Sequence, residues 1–205
     1  MIPSIISFKF FLSILILSNI FHIFFFAFIL VFEFFFFIFS EICITAFIIR
    51  ILNLKYKEGT YNLNLNDNTY LKLIIYSSLY LPLTKVIKLL CLEPFYRFYL
   101  ILLGVKIGKN TILIGRINDP CLTEIGNNCV IGGHSIISAH AGEKKLFLKK
   151  VKIGNNCIVG GWAHIMPGVV MEDNSCLGAR SLALKNQILS KGKMYGGVPA
   201  KKLNV

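Results

Sequence analysis

Residues 151–183 read VKIGNNCIVGGWAHIMPGVVMEDNSCLGARSLA, and this stretch decides the fold. An apolar residue returns at every sixth position: Ile153, Val159, Ile165, Met171, Leu177 and Ala183. Glycine often follows it, and the fourth residue after it is usually small. This pattern is a hexapeptide repeat, whose short strands stack into a β-helix.

The same period extends upstream of residue 151. It passes through Ile107, Leu113, Asp119, Ile125, Ile131 and Ile137 and is interrupted by residues 141–150. Three hexapeptides make one triangular coil, so residues 18 apart should stack, with ten extra residues across the interruption. Residues 105–205 therefore predict a parallel β-helix of about four coils with a loop at 141–150 and a C-terminal cap. At about 4.8 Å per strand it is short, which favours an oligomer or caps.

The first half of the chain is strongly apolar. With 205 residues, a net charge of +12 and a mean hydropathy of +0.67, the chain is too apolar for one ordinary soluble domain. As one helix, residues 2–52 would be about 75 Å long, against a hydrocarbon core of about 30 Å. We therefore expect a transmembrane helical hairpin within residues 1–54, with passes at 10–31 and 34–52. A signal peptide would need a shorter apolar core and a small-residue cleavage site, and neither is visible in this stretch.

Charges near this segment predict its orientation. Basic residues lie outside both predicted passes: Lys9 before the first, and Arg50, Lys55 and Lys57 near or after the second. By the positive-inside tendency both ends, and with them the C-terminal domain of an integral membrane protein, are expected in the cytoplasm. We expect Glu33 at a headgroup-level turn and Glu41 in a helix–helix contact; the alternative is that these carboxylates inside an apolar run are functional.

Residues 55–104 connect the two parts. Residues 55–68 are polar and predict an extended strand or loop. Residues 70–92 and 94–103 predict helices, and Pro82 is expected to kink or split the first. These helices either lie along the membrane interface or cap the open end of the solenoid.

Six cysteines raise the question of a metal site or disulfides. No CxxC pair is present, and Cys129 and Cys157 fall on the inward, small-residue position in one column with Thr111 and Ser175. A cytoplasmic location also keeps thiols reduced. The pattern predicts structural packing for Cys129 and Cys157.

Two polar residues stand out from the repeat. His140 immediately precedes the interruption and falls in one column with Gly168, so we expect open space in front of its ring. Asp119 occupies a position where the period demands an aliphatic residue. The alternatives are that His140 anchors the loop through a hydrogen bond and that Asp119 marks a bulge. Geometry alone leaves both residues as candidates for catalysis.

Several segments carry a family resemblance, namely GVKIGKN (104–110), DPCLTEIG (119–126), ISAHA (137–141), VKIGNNCIVG (151–160), MPGV (166–169) and GGVPA (196–200). Together they resemble the hexapeptide-repeat acyltransferases. The membrane-bound branch, similar to the C-terminal modules of polylysine-synthetase-type peptide synthetases, matches best, since a hydrophobic hairpin and a stretch like KEGTY (57–61) precede its solenoid. The resemblance covers roughly residues 35–203.

This resemblance implies a left-handed β-helix, usually trimeric, with an acyl thioester in the crevice between subunits. In the family a histidine before an extended loop acts as general base, and His140 matches that place. Its imidazole suits the task, because an ordinary pKa of about 6.5 leaves it largely neutral at cytoplasmic pH. Asp119 resembles an acidic residue that orients acceptors in sugar acetyltransferases.

The donor side follows from the same stacking. Gly161 and Ala179 lie 18 apart, and their small side chains would let a pantetheine arm run along the coils. Lys185, Lys201 and Lys202 come near the last coil, where coenzyme A phosphates lie in the family; the alternative is that they are surface charges or contacts with anionic lipid. A further column is expected to form a subunit contact or a crevice wall: Arg116, His134, Trp162 and Arg180.

The leading hypothesis is a membrane-anchored, homotrimeric acyltransferase. It would move an acyl group from coenzyme A, or from a carrier-bound thioester, to a hydroxyl or amine of a small-molecule or lipid-linked acceptor. Membrane lipids are expected partners, and neither a metal nor nucleic acid is expected. The first alternative is a γ-type carbonic anhydrase with zinc on three histidines; here His134 and His140 would lie on adjacent faces and His164 at a corner, and the usual pair five apart is missing. The second is a non-catalytic membrane scaffold.

Overall fold

An apolar helix opens the chain and runs without a break from Ile2 to Ile51 (α1). The structure, a computed structural model, describes the backbone of residues 2–204 and the side chains of residues 19–204, so the side chain of Lys9 lies outside the described part. The predicted hairpin with a turn near Glu33 is wrong. No glycine, proline or asparagine lies between residues 20 and 52 to end the helix.

One stretch of α1, Asn19–Ile51, is long and apolar enough to cross a membrane, with a mean hydropathy of 2.6. Most of its phenylalanines are exposed. Glu33 is exposed in mid-helix and Glu41 is half-buried, so Glu33 does not occupy a turn. Most side chains of this stretch are therefore both apolar and exposed.

The chain divides into two compact units, residues 1–42 and 43–205. The sequence predicts three segments, 1–54, 55–104 and 105–205, and this division into functional parts stays a prediction. Within the second unit, the last turns of α1 carry the buried side chains of Thr45 and Ile49.

The connecting region forms a short strand and two helices: β1 (Gly59–Tyr61), α2 (Asn68–Leu89) and α3 (Glu93–Leu103). Asp67 begins α2 by accepting the N–H groups of Thr69 and Tyr70, as N-caps do. Gly104, at φ +115°, ends α3. The helices confirm the sequence prediction, except that α2 continues through Pro82 without splitting. Loss of one N–H is tolerated there because the helix also buries a row of side chains.

Short strands then form the solenoid and the hairpin that interrupts it. The first coil contains β2 (Lys106–Ile107), β3 (Ile112–Leu113) and β4 (Arg116–Ile117), and the second contains β5 (Thr123–Ile125), β6 (Val130–Ile131) and β7 (Ile136–Ile137). The hairpin is β8 (His140–Gly142) and β9 (Leu146–Leu148). The third coil contains β10 (Val151–Ile153), β11 (Ile158–Val159) and β12 (His164–Ile165). The remaining strands are β13 (Val170–Met171), β14 (Cys176–Leu177), β15 (Leu182–Ala183), β16 (Ile188–Leu189), β17 (Met194–Gly196) and β18 (Lys201–Lys202).

These strands form three parallel sheets, one per face. The first sheet has the order β16-β13-β10-β5-β2. The second has the order β18-β17-β14-β11-β6-β3, in which β18 is antiparallel to β17. The third has the order β15-β12-β7-β4. Ile153 pairs with Met171, and Ile125 pairs with Ile153 across the interruption. The predicted stacking by 18 residues, with ten more across the insertion, is confirmed. Four complete coils and part of a fifth result, the arrangement of a left-handed β-helix of hexapeptide repeats.

The first coil departs from the period. On the third face Ile117, not Asp119, pairs with Ile137 and is fully buried. The inward residue of that face therefore comes two residues earlier in the sequence than the period predicts. The two extra residues are accommodated before the next strand, where a 3₁₀ turn forms at Pro120–Leu122. The predicted place of Asp119 in the apolar column is therefore wrong, because this coil shifts its register to keep an aliphatic side chain inside.

Residues 141–150 leave the solenoid as the β8–β9 hairpin. β1 adds to its outer edge, with Thr60 opposite Phe147, to give the antiparallel order β1-β9-β8. The connecting region is thereby joined to the interruption, and the hairpin begins at His140.

The open end of the first coil is covered by α2 and α3. Arg97 donates to the carbonyl oxygens of Thr111 and Gly108 at 2.6 and 2.8 Å, and the Tyr96 hydroxyl accepts the Ile117 N–H at 3.1 Å. Lys88 donates to Ile114 O at 2.5 Å. Unpaired backbone groups at a sheet edge need such partners. The capping alternative expected for these helices is confirmed.

The small inward column is also confirmed. Cys129 and Cys157 are fully buried, and all six cysteines are free thiols. The Thr111 hydroxyl accepts the Cys129 N–H at 3.1 Å, and Cys157 Sγ lies 3.6 Å from Ser175 Oγ. Small side chains fill this column because the corner of the prism leaves little room for larger ones.

A second ladder, at a turn between the first and second faces, is polar. Asn155 Oδ1 accepts the Asn127 N–H at 2.9 Å, and Asp173 Oδ1 accepts the Asn155 N–H at 2.6 Å. An amide oxygen and a carboxylate oxygen therefore perform the same structural task in successive coils.

Candidate active site

Asp119 lies where the first coil breaks the period, between β4 and the 3₁₀ turn. Its side chain is fully buried, with 0% of its surface exposed. Its backbone carbonyl accepts the Thr123 hydroxyl at 2.9 Å and the Leu122 N–H at 3.1 Å. A buried carboxylate needs several hydrogen-bond donors to offset the loss of water. The donors around Asp119 define the site.

His140 supplies one of these donors. Its Nδ1 lies 2.8 Å from Asp119 Oδ2 and 2.9 Å from Oδ1, although the two residues are 21 apart in sequence. The Ala139 N–H donates to Oδ2 at 2.7 Å. The end of the third face and the start of the hairpin are therefore both fixed to one carboxylate. The two residues that the sequence singled out separately form one pair.

The other ring nitrogen of His140 faces outward. One third of the side chain is exposed, and no hydrogen bond from a described residue reaches Nε2. Because ionised Asp119 only accepts, Nδ1 carries the hydrogen in this pair and Nε2 keeps its lone pair. The hydrogen bond to Asp119 raises the pKa of His140 above 6.5, and partial burial opposes this shift. The result is an accessible, oriented imidazole base.

Sequence reasoning missed a third donor, Tyr56. Its hydroxyl donates to Asp119 Oδ1 at 2.7 Å, across 63 residues of sequence. The side chain is 5% exposed, and burial together with the Asp119 carboxylate holds the pKa of the phenol well above 10. Tyr56 stands alone in a polar stretch without periodicity, so no local signal marks it.

The outer surface of the third sheet lies beside His140. On this sheet the residue that directly precedes each inward residue points outward, and these outward residues are paired in register: Arg116, Ile136, His164 and Leu182. Burial, with Arg116 and His140 nearby, lowers the pKa of His164. Two predictions are corrected by this alignment: His164 lies on strand β12 and not at a corner, and Arg116 pairs with Ile136 because of the register shift.

The other three residues of the column predicted with Arg116, namely His134, Trp162 and Arg180, lie at one corner. His134 and Trp162 stack with ring centroids 4.3 Å apart, and 62% of the Trp162 surface is exposed. The Arg180 N–H donates to Gly161 O at 2.9 Å. Gly161 and Ala179 lie in this corner, between the second and third sheets, whereas His140 lies at the other end of the third sheet. The structure therefore separates the predicted donor residues from the base by the width of one face.

The three predicted lysines do not form one cluster. Lys185 pairs with Glu143 of the hairpin, at the His140 end of the third face. Lys201 pairs through its backbone with Gly196, one coil beyond Gly178. Lys201 and Lys202 are exposed and lie on the side of Ala179. The C-terminal residues run back along the solenoid, which the repeat alone does not reveal.

No group of three or more His, Cys, Asp or Glu side chains among residues 19–204 is arranged to hold a metal ion. The carbonic-anhydrase alternative thus has no supporting ligand set in the part of the chain whose side chains are described.

Comparisons with known proteins agree with the solenoid. The family described as "Bacterial transferase hexapeptide (six repeats)" matches residues 150–182. A search of the curated proteins found no match to the sequence.

Solved structures share the architecture over a larger part of the chain. A maltose O-acetyltransferase from Clostridium difficile 630 superposes with a TM-score of 0.55 at 20% identity, covering 71% of this chain and 91% of its own. A hexapeptide-repeat acetyltransferase from Vibrio cholerae gives a TM-score of 0.46 at 21% identity. That match covers 49% of this chain and 62% of the acetyltransferase. A galactoside acetyltransferase in complex with coenzyme A gives 0.43 at 17%, with 54% of this chain and 70% of its own covered. The family match and the superposition on the maltose O-acetyltransferase support a hexapeptide-repeat β-helix as the fold of the solenoid.

Proposed function

We propose that this protein is an acyltransferase that moves an acyl group from a coenzyme A or carrier-bound thioester to a hydroxyl or amine. The observation that carries the proposal is the Asp119–His140 pair, a buried carboxylate bonded to an imidazole whose second nitrogen is open. A base needs this arrangement to accept a proton from a nucleophile. The hexapeptide-repeat match and the acetyltransferase with the same fold support the choice of acyl transfer.

The chemical step follows from the tautomer. His140 Nε2 takes the proton of the acceptor O–H or N–H as its oxygen or nitrogen bonds to the thioester carbonyl carbon. Asp119 stabilises the imidazolium so formed. The carbon–sulfur bond then breaks with the electron pair going to sulfur, and the imidazolium returns its proton to the leaving thiolate. The products are an ester or amide and a free thiol, and His140 is neutral again.

The donor thioester fits the third face of the solenoid. Gly161 and Ala179 make a low surface at one corner, and no described residue accepts a hydrogen bond from either backbone N–H. A pantetheine arm contains two amides that such groups can bind. Lys201 and Lys202 supply positive charge on the same side for the phosphates, and the arm crosses the face toward His140. Lys185, paired with Glu143, takes a structural role in this arrangement.

We place the chain in a membrane through α1. The exposed apolar surface of residues 19–51 is the supporting observation, since water would not tolerate so many uncovered phenylalanines. Arg50 lies at the end of this span, and Lys55 and Lys57 follow it, so the solenoid faces the cytoplasm by the positive-inside tendency. Protease protection of tags at the two ends tests this. Because α1 is one unbroken helix, it crosses once, so ends on opposite sides are expected in place of the two cytoplasmic ends of a hairpin. Release of the protein by alkaline carbonate would contradict the anchor.

The solenoid is proposed to act as a trimer. Outward side chains of the second sheet form a largely exposed apolar column of Ile112, Val130, Ile158 and Met194, with half-buried Cys176 between the last two. Such a column is typical of a surface that a second subunit covers. The crevice against His140 then receives a wall from a neighbouring copy. Light scattering on the detergent-solubilised protein should give a trimer mass, and a monomer would contradict the assembly.

The decisive experiment replaces His140 with Ala in the full chain. Wild-type protein is incubated with a panel of acyl-coenzyme A thioesters, with and without membrane extract as acceptor source, and thioester loss is followed by chromatography. We expect the variant to lose about 10²- to 10⁴-fold of the rate, the contribution of a positioned base.

His22→Ala, which removes an exposed imidazole from α1, is the matched control and should retain the rate. Thioester loss that is equal in the wild-type and His140→Ala proteins would remove His140 from the mechanism. If no donor is consumed under any condition, the scaffold alternative is favoured.

A further inference from the structure

We infer that Tyr56 is a positioning residue that sets the basicity of His140 through Asp119. This inference rests on the proposed function and adds a residue from outside the solenoid to the site. Tyr56, Asp119 and His140 form one chain of hydrogen bonds, from phenol to carboxylate to imidazole.

The geometry makes Asp119 a shared acceptor. Tyr56 O–H approaches Oδ1 at 2.7 Å, the same oxygen that lies 2.9 Å from His140 Nδ1. Oδ2 accepts the Ala139 N–H at 2.7 Å and lies 2.8 Å from Nδ1. Each hydrogen-bond donor to the carboxylate partly offsets its negative charge, so less of that charge is left to stabilise the imidazolium. Tyr56 therefore weakens the pull of Asp119 on the His140 proton, and it also fixes the carboxylate plane.

The phenol is held firmly in this position. Its ring meets Tyr76 edge to face at 5.5 Å, and Tyr76 is itself fully buried and donates to Leu103 O at 3.2 Å. The Tyr56 carbonyl is 4.0 Å from Cys121 Sγ. A phenol buried beside a carboxylate stays protonated and remains a donor across the working pH range. It belongs to the segment that follows α1, so this segment completes a site that the repeat only begins.

The sign of the effect can be tested. In Tyr56→Phe the carboxylate loses a donor, so its charge acts more fully on His140, and the pKa of His140 should rise further above 6.5. The acid limb of kcat/KM should move to higher pH by the same amount. At pH 7 we expect kcat to fall by up to about tenfold for a rise of about one pKa unit, because a larger fraction of His140 is then protonated and cannot accept a proton, with little change in KM.

The closing experiment follows the imidazole by NMR. The full chain has four histidines, so selectively labelled histidine in the detergent-solubilised protein gives few signals, and His140→Gln assigns the one of interest. The titration midpoint of His140 is compared in wild type, Tyr56→Phe and Tyr76→Phe. The last variant removes a buried hydroxyl from the same aromatic cluster without touching Asp119, and it should leave the midpoint unchanged.

Each outcome is informative. An upward shift in Tyr56→Phe alone supports the inference, whether or not the acyl transfer reaction is found, because the titration needs no substrate. An unchanged or lower midpoint in a folded Tyr56→Phe protein overturns it. An equal shift in Tyr76→Phe would also overturn it, since loosening of the cluster would then explain the effect.

Discussion

The first coil and the later coils of the solenoid are built from the same repeat, yet they differ in what their polar groups do. In the third and fourth coils every inward position comes on the sixth residue, and Asp173 occupies a ladder position that asparagine fills in the second and third coils. In the first coil the register shifts by two residues, so Asp119 lies outside the inward apolar column and bonds His140 and Tyr56.

The difference shows where chemistry can be placed in a repeat protein. A regular position is held by its neighbours above and below, so its side chain is fully used in stacking. A break in the period frees a side chain from that task. Both breaks in this solenoid, the shifted first coil and the hairpin after residue 139, meet at the Asp119–His140 pair.

The largest expected effect comes from comparing the two carboxylates directly. Asp119→Asn should lower kcat/KM for thioester consumption by about 10²- to 10⁴-fold, because the amide no longer stabilises the imidazolium. The pKa of His140 should fall toward 6.5, so the acid limb of the profile moves to lower pH. Asp173→Asn, which restores the residue type of the ladder, should leave both unchanged. Equal losses in the two variants would contradict the distinction between the coils.

A smaller effect is expected from the packing between regular coils. A Cβ added to Gly160 would lie 2.3 Å from Ala179 N and 2.6 Å from Gly178 C, backbone atoms that cannot move aside. Gly160→Ala should therefore lower the free energy of unfolding by about 3 kcal/mol. At Gly133 the nearest atom is a methyl of Ile114 at 3.5 Å, so Gly133→Ala should be neutral or stabilise by up to about 1 kcal/mol. Denaturant unfolding of both variants measures this, and a comparable loss at Gly133 would be inconsistent with the stacking.

The smallest effect is the pH dependence of stability at the irregular coil. Because Asp119 raises the pKa of His140 above 6.5 in the folded chain, the pair stabilises the fold fully below pH about 6.5. This contribution is lost as the pH rises through the folded pKa. The Tm difference between wild type and His140→Ala should therefore shrink between pH 6 and pH 9. A difference that grows over this range would show that the imidazolium is not stabilised by folding.

Periodicity made most of the solenoid predictable. The inward column, the pairing by 18 residues and the packed Cys129 and Cys157 all follow from spacing, because each coil repeats the same steric problem. The helix α1 was not predictable in the same way. Its apolar run suggested two passes, but the length of an apolar stretch sets no turn, and residues 20–52 contain no helix-ending residue, so the hydrogen-bonded backbone continues.

The sequence by itself determined the fold of the second half and singled out His140 and Asp119 as exceptions to the repeat. The tertiary structure alone decided that these exceptions touch, that Ile117 takes the inward place once assigned to Asp119, and that Tyr56 is the third member. The physical reason is range. A repeat constrains contacts at fixed sequence separations of 18 or 28 residues, whereas the side-chain contacts of Asp119 with His140 and Tyr56 span 21 and 63 residues. Only the folded chain brings those donors to the buried carboxylate, so the repeat does not predict them.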